Sequence, residues 1–244
     1  MAHSNSAAAG NDIRTRPAYS MQDAARYLRM PAATLRTWVL GRSFTSGGVA
    51  RRSDPLIELH DPSGTYLSFI NLVEAHVLVS IRRRYGVKLP KVRLALNYVK
   101  SMAARSVSTD TQRPLIEQAF ETDGLDLFVR QYGELINTSR NGQVAMKELM
   151  STYLQRIERD EKGLPIRLYP VTRSREIEEH TKRDPRVVVI SPLVAFGRPT
   201  IDGTGIPSSA IFERYQAGDS VSDLARDFRL EPGVVEEAIR SEAA

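Results

Sequence analysis

The chain has 244 residues, 41% of them hydrophobic, and no cysteine, which allows one sizeable core or several small ones and excludes disulfides and thiolate metal sites. Its longest apolar run, 67–81, is interrupted by Asn71, Glu74 and His76, short of the roughly 20 clean residues a membrane span needs. The net charge of +5 divides unevenly: residues 1–105 hold sixteen Lys and Arg against six Asp and Glu, and the remainder eighteen against twenty-three, so a polyanionic partner is expected at one end only.

Residues 1–13 read as a disordered tail: residues 1–12 are polar and alanine-rich, with no signal-peptide core, so a cytoplasmic protein is expected. Ser20 then caps a helix with Asp23 three residues on, and Met21, Ala24, Ala25 and Leu28 make its buried stripe. Met30-Pro31 marks a turn. A second helix buries Leu35, Trp38 and Val39 and leaves Thr34, Arg36, Thr37 and then Arg42 outward, residue types that bond phosphates and base edges from a major groove. Residues 56–60 and 66–69 read as a wing hairpin around the turn Asp61-Pro62-Ser63-Gly64, with Arg51 and Arg52 just before it placed for the backbone or minor groove.

Two apolar helices are expected over 71–85 and 91–105, with so much buried surface that they suggest a dimer interface. Residues 115–138 read as short strands and hairpins broken at Asp123-Gly124 and Tyr132-Gly133, followed by a helix over about 143–159 and a strand at 166–169. The densely charged stretch 172–185 reads as a linker.

Beyond it come a strand at 187–190, a hairpin turning at Asp202-Gly203, and three helices opened by Pro207, Ser220 and Glu231-Pro232. The second of these repeats the first helix of the chain: Ser220-x-x-Asp223-x-Ala-Arg matches Ser20-x-x-Asp23-x-Ala-Arg, with Val221, Leu224, Ala225 and Phe228 on one face. The helix after it differs in charge. Where the first copy carries Thr34, Arg36 and Thr37, this one carries Val234, Glu236 and Glu237, which phosphates would repel; this end is expected to bind protein.

The run Tyr19 to Trp38, with its Leu35-Arg36-x-Trp38 element, resembles the winged-helix start of the MerR class of DNA-binding regulators, as do residues 86–96 with that class's next helix; the Ser- and Gly-rich stretch 43–50 departs from it as an insertion. That resemblance implies that Thr34, Arg36 and Thr37 face DNA and that Trp38 packs mainly inward. The string Gly197-Arg-Pro-Thr-Ile-Asp-Gly-Thr-Gly-Ile-Pro207 with residues 217–228 resembles a small bacterial domain of unknown function, family 433, found in antitoxins. Together the two resemble the longer VapB-like type II antitoxins. This implies operator DNA and a PIN-like ribonuclease toxin, encoded by the adjacent gene, as partners, a homodimer or a higher hetero-oligomer with toxin, and Arg198, Glu236 and Glu237 as toxin-binding candidates.

The expected fold is mainly α with small β hairpins (α+β): a winged helix-turn-helix with dimerisation helices over 14–105, an α+β unit over 106–170, a linker over 171–186 and a helical domain over 187–244. No catalytic group, metal site or cofactor is expected, since His3, His60, His76 and His180 are scattered and no phosphate loop or metal box is spelled. The alternative is a free-standing MerR-class transcription regulator whose middle unit senses a ligand or dimerises.

Overall fold

A computed structural model describes residues 12–85, 89–106, 113–118, 120–172 and 185–243. The N-terminal half runs β1 (Tyr19–Ser20), α1 (Met21–Tyr27), α2 (Ala32–Leu40), β2 (Arg42–Ser46), β3 (Val49–Ser53), β4 (Tyr66–Leu67), α3 (Phe69–Tyr85) and α4 (Leu89–Ser106). β1 pairs antiparallel with β4, Tyr19 opposite Leu67, and so ties the entry of α1 to the start of α3. The turn before β4 is set by Asp61, whose carboxylate accepts from the amides of Ser63, Thr65 and Tyr66 at 2.8–2.9 Å. These bonds, with that from the Ser63 hydroxyl first, hold the carboxyl down at about 2.

The wing lies earlier than expected. β2 pairs with β3 across Gly47-Gly48, and both glycines have positive φ, as a two-residue type I′ turn requires. The stretch that reads as an insertion is therefore the hairpin itself, and of the expected strands only Tyr66–Leu67 forms, paired with β1.

The middle of the chain is also corrected. In place of strands over 115–138, a 3-10 turn (Pro114–Ile116) and a π turn (Phe120–Gly124) lead into α5 (Leu125–Leu135), followed by α6 (Arg140–Leu154), β5 (Ile157–Arg159) and β6 (Pro165–Leu168). Leu125, Phe128, Val129 and Tyr132 are all buried, the i, i+3, i+4, i+7 spacing of a helix. Gly133 continues that helix because α6 crosses close by: a Cβ there would meet the Gln143 side chain at 2.7 Å.

α3 is buried over residues 69–81 on all sides, packed on α6 and covered within the chain, so its apolar circumference is not a free dimer face. Its polar residues find partners within the fold, some local and some distant in sequence. The Ser68 hydroxyl accepts the Asn71 amide at 3.2 Å while the Asn71 carbonyl oxygen accepts the Ser68 amide, a reciprocal cap. Glu74 sits 2.7 Å from Arg113; burial nevertheless raises its carboxyl to about 7.

One hydrophobic core runs from Tyr19 to Ile190, so the winged helix and the middle unit pack as one body. The C-terminal residues form a second, small core: β7 (Val188–Val189), β8 (Thr200–Ile201), α7 (Ser208–Gln216), α8 (Val221–Phe228) and α9 (Pro232–Glu242), with Val188, Ile201, Ile211, Leu224, Val235 and Ala238 inside. The two are joined where Leu168 and Ile190 exchange backbone bonds of 2.9 and 2.8 Å, and where buried Arg156 donates to the carbonyls of Tyr169, Pro170 and Pro185. The expected linker falls mainly on 173–184, outside the described residues, as does the tail up to residue 11. Asp12, at the end of the expected tail, belongs to the fold instead, for it pairs with Arg14, which in turn pairs with Asp160, each at 2.7 Å.

Candidate nucleic-acid interface

The helix-turn-helix is built from short-range bonds. The Ser20 hydroxyl accepts the Asp23 amide at 3.1 Å and donates to the Asp23 carboxylate at 2.6 Å, which fixes the first turn of α1. At its other end Arg29 takes a left-handed conformation (φ 51°), the Met30 amide returns to the Ala25 carbonyl at 2.9 Å, and the Thr34 amide bonds Pro31 O to start α2. α2 buries Leu35, Trp38 and Val39, and Trp38 is among the largest fully enclosed side chains.

The opposite face of α2 carries Thr34, Arg36 and Thr37. Arg36 is exposed and makes no bond to any described residue. Thr37 is half-buried and donates its hydroxyl to Ala33 O at 3.0 Å, so it can only accept from a partner.

Gly41 ends α2 at φ +75°, and a Cβ there would lie 2.1 Å from Ser53 O. Only glycine lets the helix hand over directly to the wing. Pairing puts Arg42, Phe44 and Arg51 on one face of the hairpin and Arg52 on the other, because Phe44 opposes Arg51 and Ser43 opposes Arg52. Arg42 and Arg51 are exposed; Arg52 turns back and donates to Leu40 O at 3.0 Å, which secures the wing against the end of α2. Phe44 and Val49 stand out from the wing as exposed apolar residues that sequence reasoning missed. The signal that could have found them is Gly47-Gly48, a two-residue hairpin turn between five-residue runs. Residues 32–53 hold four arginines and no carboxylate. Such a surface attracts a phosphate backbone and offers a helix for the groove beside a basic hairpin.

The C-terminal copy reproduces the scaffold bond for bond. Ser220 and Asp223 exchange the same two bonds at 3.1 and 2.6 Å, Arg229 is left-handed (φ 55°), and the Leu230 amide returns to Ala225 O at 2.9 Å. The helix that follows is acidic. Glu236 is exposed, but Glu237 is buried, accepting from the Thr172 hydroxyl and pairing with Arg240 at 2.6 Å, so it is turned away from the surface. Arg198 is exposed on the loop before β8, on the side of the domain that meets α1. There Arg26 pairs with Glu242, Arg29 donates to Arg240 O, and a groove of about 440 Å³ runs between Tyr19, Arg26 and Tyr27 on one wall and Phe196, Arg198 and Ser209 on the other.

Among the described residues no three His, Cys, Asp or Glu side chains are grouped to hold a metal ion, and no helix is long and apolar enough to cross a membrane.

Residues 17–96 match a family described as "Putative DNA-binding HTH domain", and residues 188–240 match "Protein of unknown function (DUF433)". A protein of Mycobacterium tuberculosis (strain ATCC 25618 / H37Rv) named "Putative antitoxin VapB45" is 28% identical over 241 residues, which covers 93% of this chain and 95% of that one. The crystal structure of Rv2018 from Mycobacterium tuberculosis has the same fold: TM-score 0.60 at 22% identity, over 92% of this chain and 98% of the other. Two domains in this order, with a match along nearly the whole length, fit a VapB-like antitoxin with an N-terminal helix-turn-helix.

Proposed function

We propose that the chain is the antitoxin of a type II toxin–antitoxin pair, which binds and represses its own operator through the N-terminal winged helix and neutralises a PIN-like ribonuclease, the adjacent gene product, by direct contact. The observation that carries this reading is the divergence of two copies of one scaffold. The Ser-x-x-Asp cap, left-handed turn and following helix recur with the same bonds, yet the outward face is Thr34, Arg36, Thr37 in one and Val234, Glu236 with an inward Glu237 in the other. Phosphate attraction dominates DNA affinity, so only the first copy suits DNA.

In this reading Arg36 and Thr34 meet the groove, Arg42 and Arg51 meet phosphates from the wing, and Thr37 and Arg52 position those elements. Arg198 and Glu236 remain surface candidates for the toxin. The chain acts as a regulator rather than an enzyme, in the cytoplasm and as at least a homodimer on a two-fold operator, with the winged helix and its flanking helices over 14–105, the middle unit over 106–170 and the C-terminal domain over 187–244. The test is co-expression with the adjacent gene product: the pair should grow and co-purify, and the complex should shift the operator. Continued toxicity with no complex would end the reading.

A second reading, a MerR-class regulator sensing a ligand, is favoured by a groove of about 580 Å³ between α5 and α6, lined by Leu127, Val129 and Val144 with Arg130, Arg140 and the ion pair Lys147–Asp126. It requires operator binding that answers to a small ligand, with no toxin alongside.

A further inference from the structure

The loop that carries Arg198 has an unusual backbone. Ala195, Phe196 and Gly197 have φ of 46°, 57° and 80°, a turn of left-handed helix closed by Gly197 N–H to Val194 O at 2.9 Å and Arg198 N–H to Ala195 O at 3.1 Å. Glycine adopts this freely, whereas alanine and phenylalanine are strained in it by their Cβ atoms. Burial of an apolar ring would offset such strain, but here the ring is not buried. Phe196 is 96% exposed and Leu193 72%, the two highest values for large hydrophobic residues among those described. A backbone held in a disfavoured conformation to display an aromatic ring in water gains nothing for folding, and strain of this kind gathers at functional sites.

The charge beside the ring is equally unspent. Arg198 is exposed and pairs with no described carboxylate; the two carboxylates of the adjoining groove, Asp23 and Glu242, are both engaged by Arg26. The occupant that fits presents an apolar recess for Phe196 and Leu193 with a carboxylate beside it for Arg198. Aromatic and arginine side chains set close together are the usual anchors of protein interfaces.

We propose that Leu193, Phe196 and Arg198 form the knob by which this chain docks its protein partner, and that the partner is the toxin. This rests on the antitoxin reading above and moves the contact from the acidic face of α9 to the loop seated against α1.

The test uses the full chain with the tagged adjacent-gene ribonuclease. Dissociation constants are measured for the wild type, Phe196→Ser, Arg198→Ala and Glu213→Ala, an exposed residue of α7 with no assigned contact, with thermal melts of each. Since Phe196 touches little else, Phe196→Ser should melt no lower than the wild type. The expected result is at least a ten-fold weaker complex for Phe196→Ser, a several-fold weaker one for Arg198→Ala and no change for Glu213→Ala. A wild-type complex that both loop variants match within two-fold overturns the docking site and leaves the antitoxin reading standing. Absence of any wild-type complex overturns both. Self-association of the free chain that Phe196→Ser abolishes, with toxin affinity unchanged, assigns the knob to a second copy and overturns the proposal.

Discussion

The Tyr19 hydroxyl lies directly under Gly197, where a Cβ on residue 197 would come within 2.4 Å of it. The first residue of the DNA-binding scaffold and the first of the C-terminal motif are thus pressed together, without a hydrogen bond, for that hydroxyl is buried and has no partner among the described residues. Burial raises its pKa accordingly.

Gly197→Ala should therefore destabilise the chain, both through left-handed strain of about 1–3 kcal/mol and through the clash, and lower Tm by several degrees. Tyr19→Phe removes an unsatisfied hydroxyl and should be neutral or stabilising by about 1 kcal/mol. In the double variant the clash is reduced while the strain remains, so the cost of Gly197→Ala should shrink by more than about 0.5 kcal/mol. Urea titration of the four proteins gives the coupling, and an equal cost in both backgrounds would show that the close approach does not occur.

Much of this architecture was legible because it is local. Caps, helix stripes and the Ser-x-x-Asp repeat depend on neighbours within four residues, and Ser20, Ser220, Trp38 and the three C-terminal helices stand where their spacing puts them. Glycines misled where their reason is tertiary. Gly133 looks like a turn residue, yet it sits within a helix because Gln143 crosses it; Gly47-Gly48 lies in a serine-rich stretch that resembles an insertion and is the wing tip. Of the candidate site, the α2 face was legible from periodicity. The inward Glu237 and the tie from Arg52 to Leu40 O were not, since each depends on a partner at a distance or on hairpin register. The strained loop at Phe196 has no sequence signature, because nothing in Ala-Phe-Gly announces a left-handed turn.

Arg36→Ala should weaken binding to a promoter fragment upstream of the chain's own gene. If Arg36 bonds a base edge the loss is about 1–3 kcal/mol and specificity relaxes; if it bonds phosphate the salt slope falls by about one. Glu236→Ala should leave both unchanged. Mobility shifts at about 50 and 200 mM salt separate these outcomes, and equal losses from both substitutions would refute the division between the two copies.

Glu74 predicts a pH dependence. Its carboxyl is buried and raised from 4.5 to about 7, so between these values the folded chain holds a proton that the unfolded chain has released. Stability from this group is therefore full below pH 4.5 and declines as pH rises towards 7. Glu74→Gln keeps the hydrogen-bonding shape and removes the titration. The difference in unfolding free energy between wild type and variant should move in favour of the variant from pH 5 to pH 7. A difference that is constant across that range would mean that Arg113, 2.7 Å away, keeps Glu74 ionised throughout.

The twin caps allow the two scaffolds to be compared in one molecule. Ser20→Ala and Ser220→Ala each delete a hydroxyl that accepts the amide three residues on at 3.1 Å, so each should cost about 1 kcal/mol, the usual worth of such a cap. Their consequences should part beyond that. Ser20 starts α1 within the core that runs from Tyr19 to Ile190, and α1 packs against α2; loosening it slackens the helix that presents Arg36. Ser220 starts α8 in the separate small core, whose acidic following helix carries no DNA contact in the proposed function. Ser20→Ala should thus lower operator affinity along with stability, while Ser220→Ala should lower the stability of the C-terminal core and leave operator affinity intact. Melting curves with mobility shifts on the same preparations decide the point, and a loss of operator binding in Ser220→Ala would mean that the C-terminal domain, held to α1 through Arg26 and Glu242, braces the DNA-reading face.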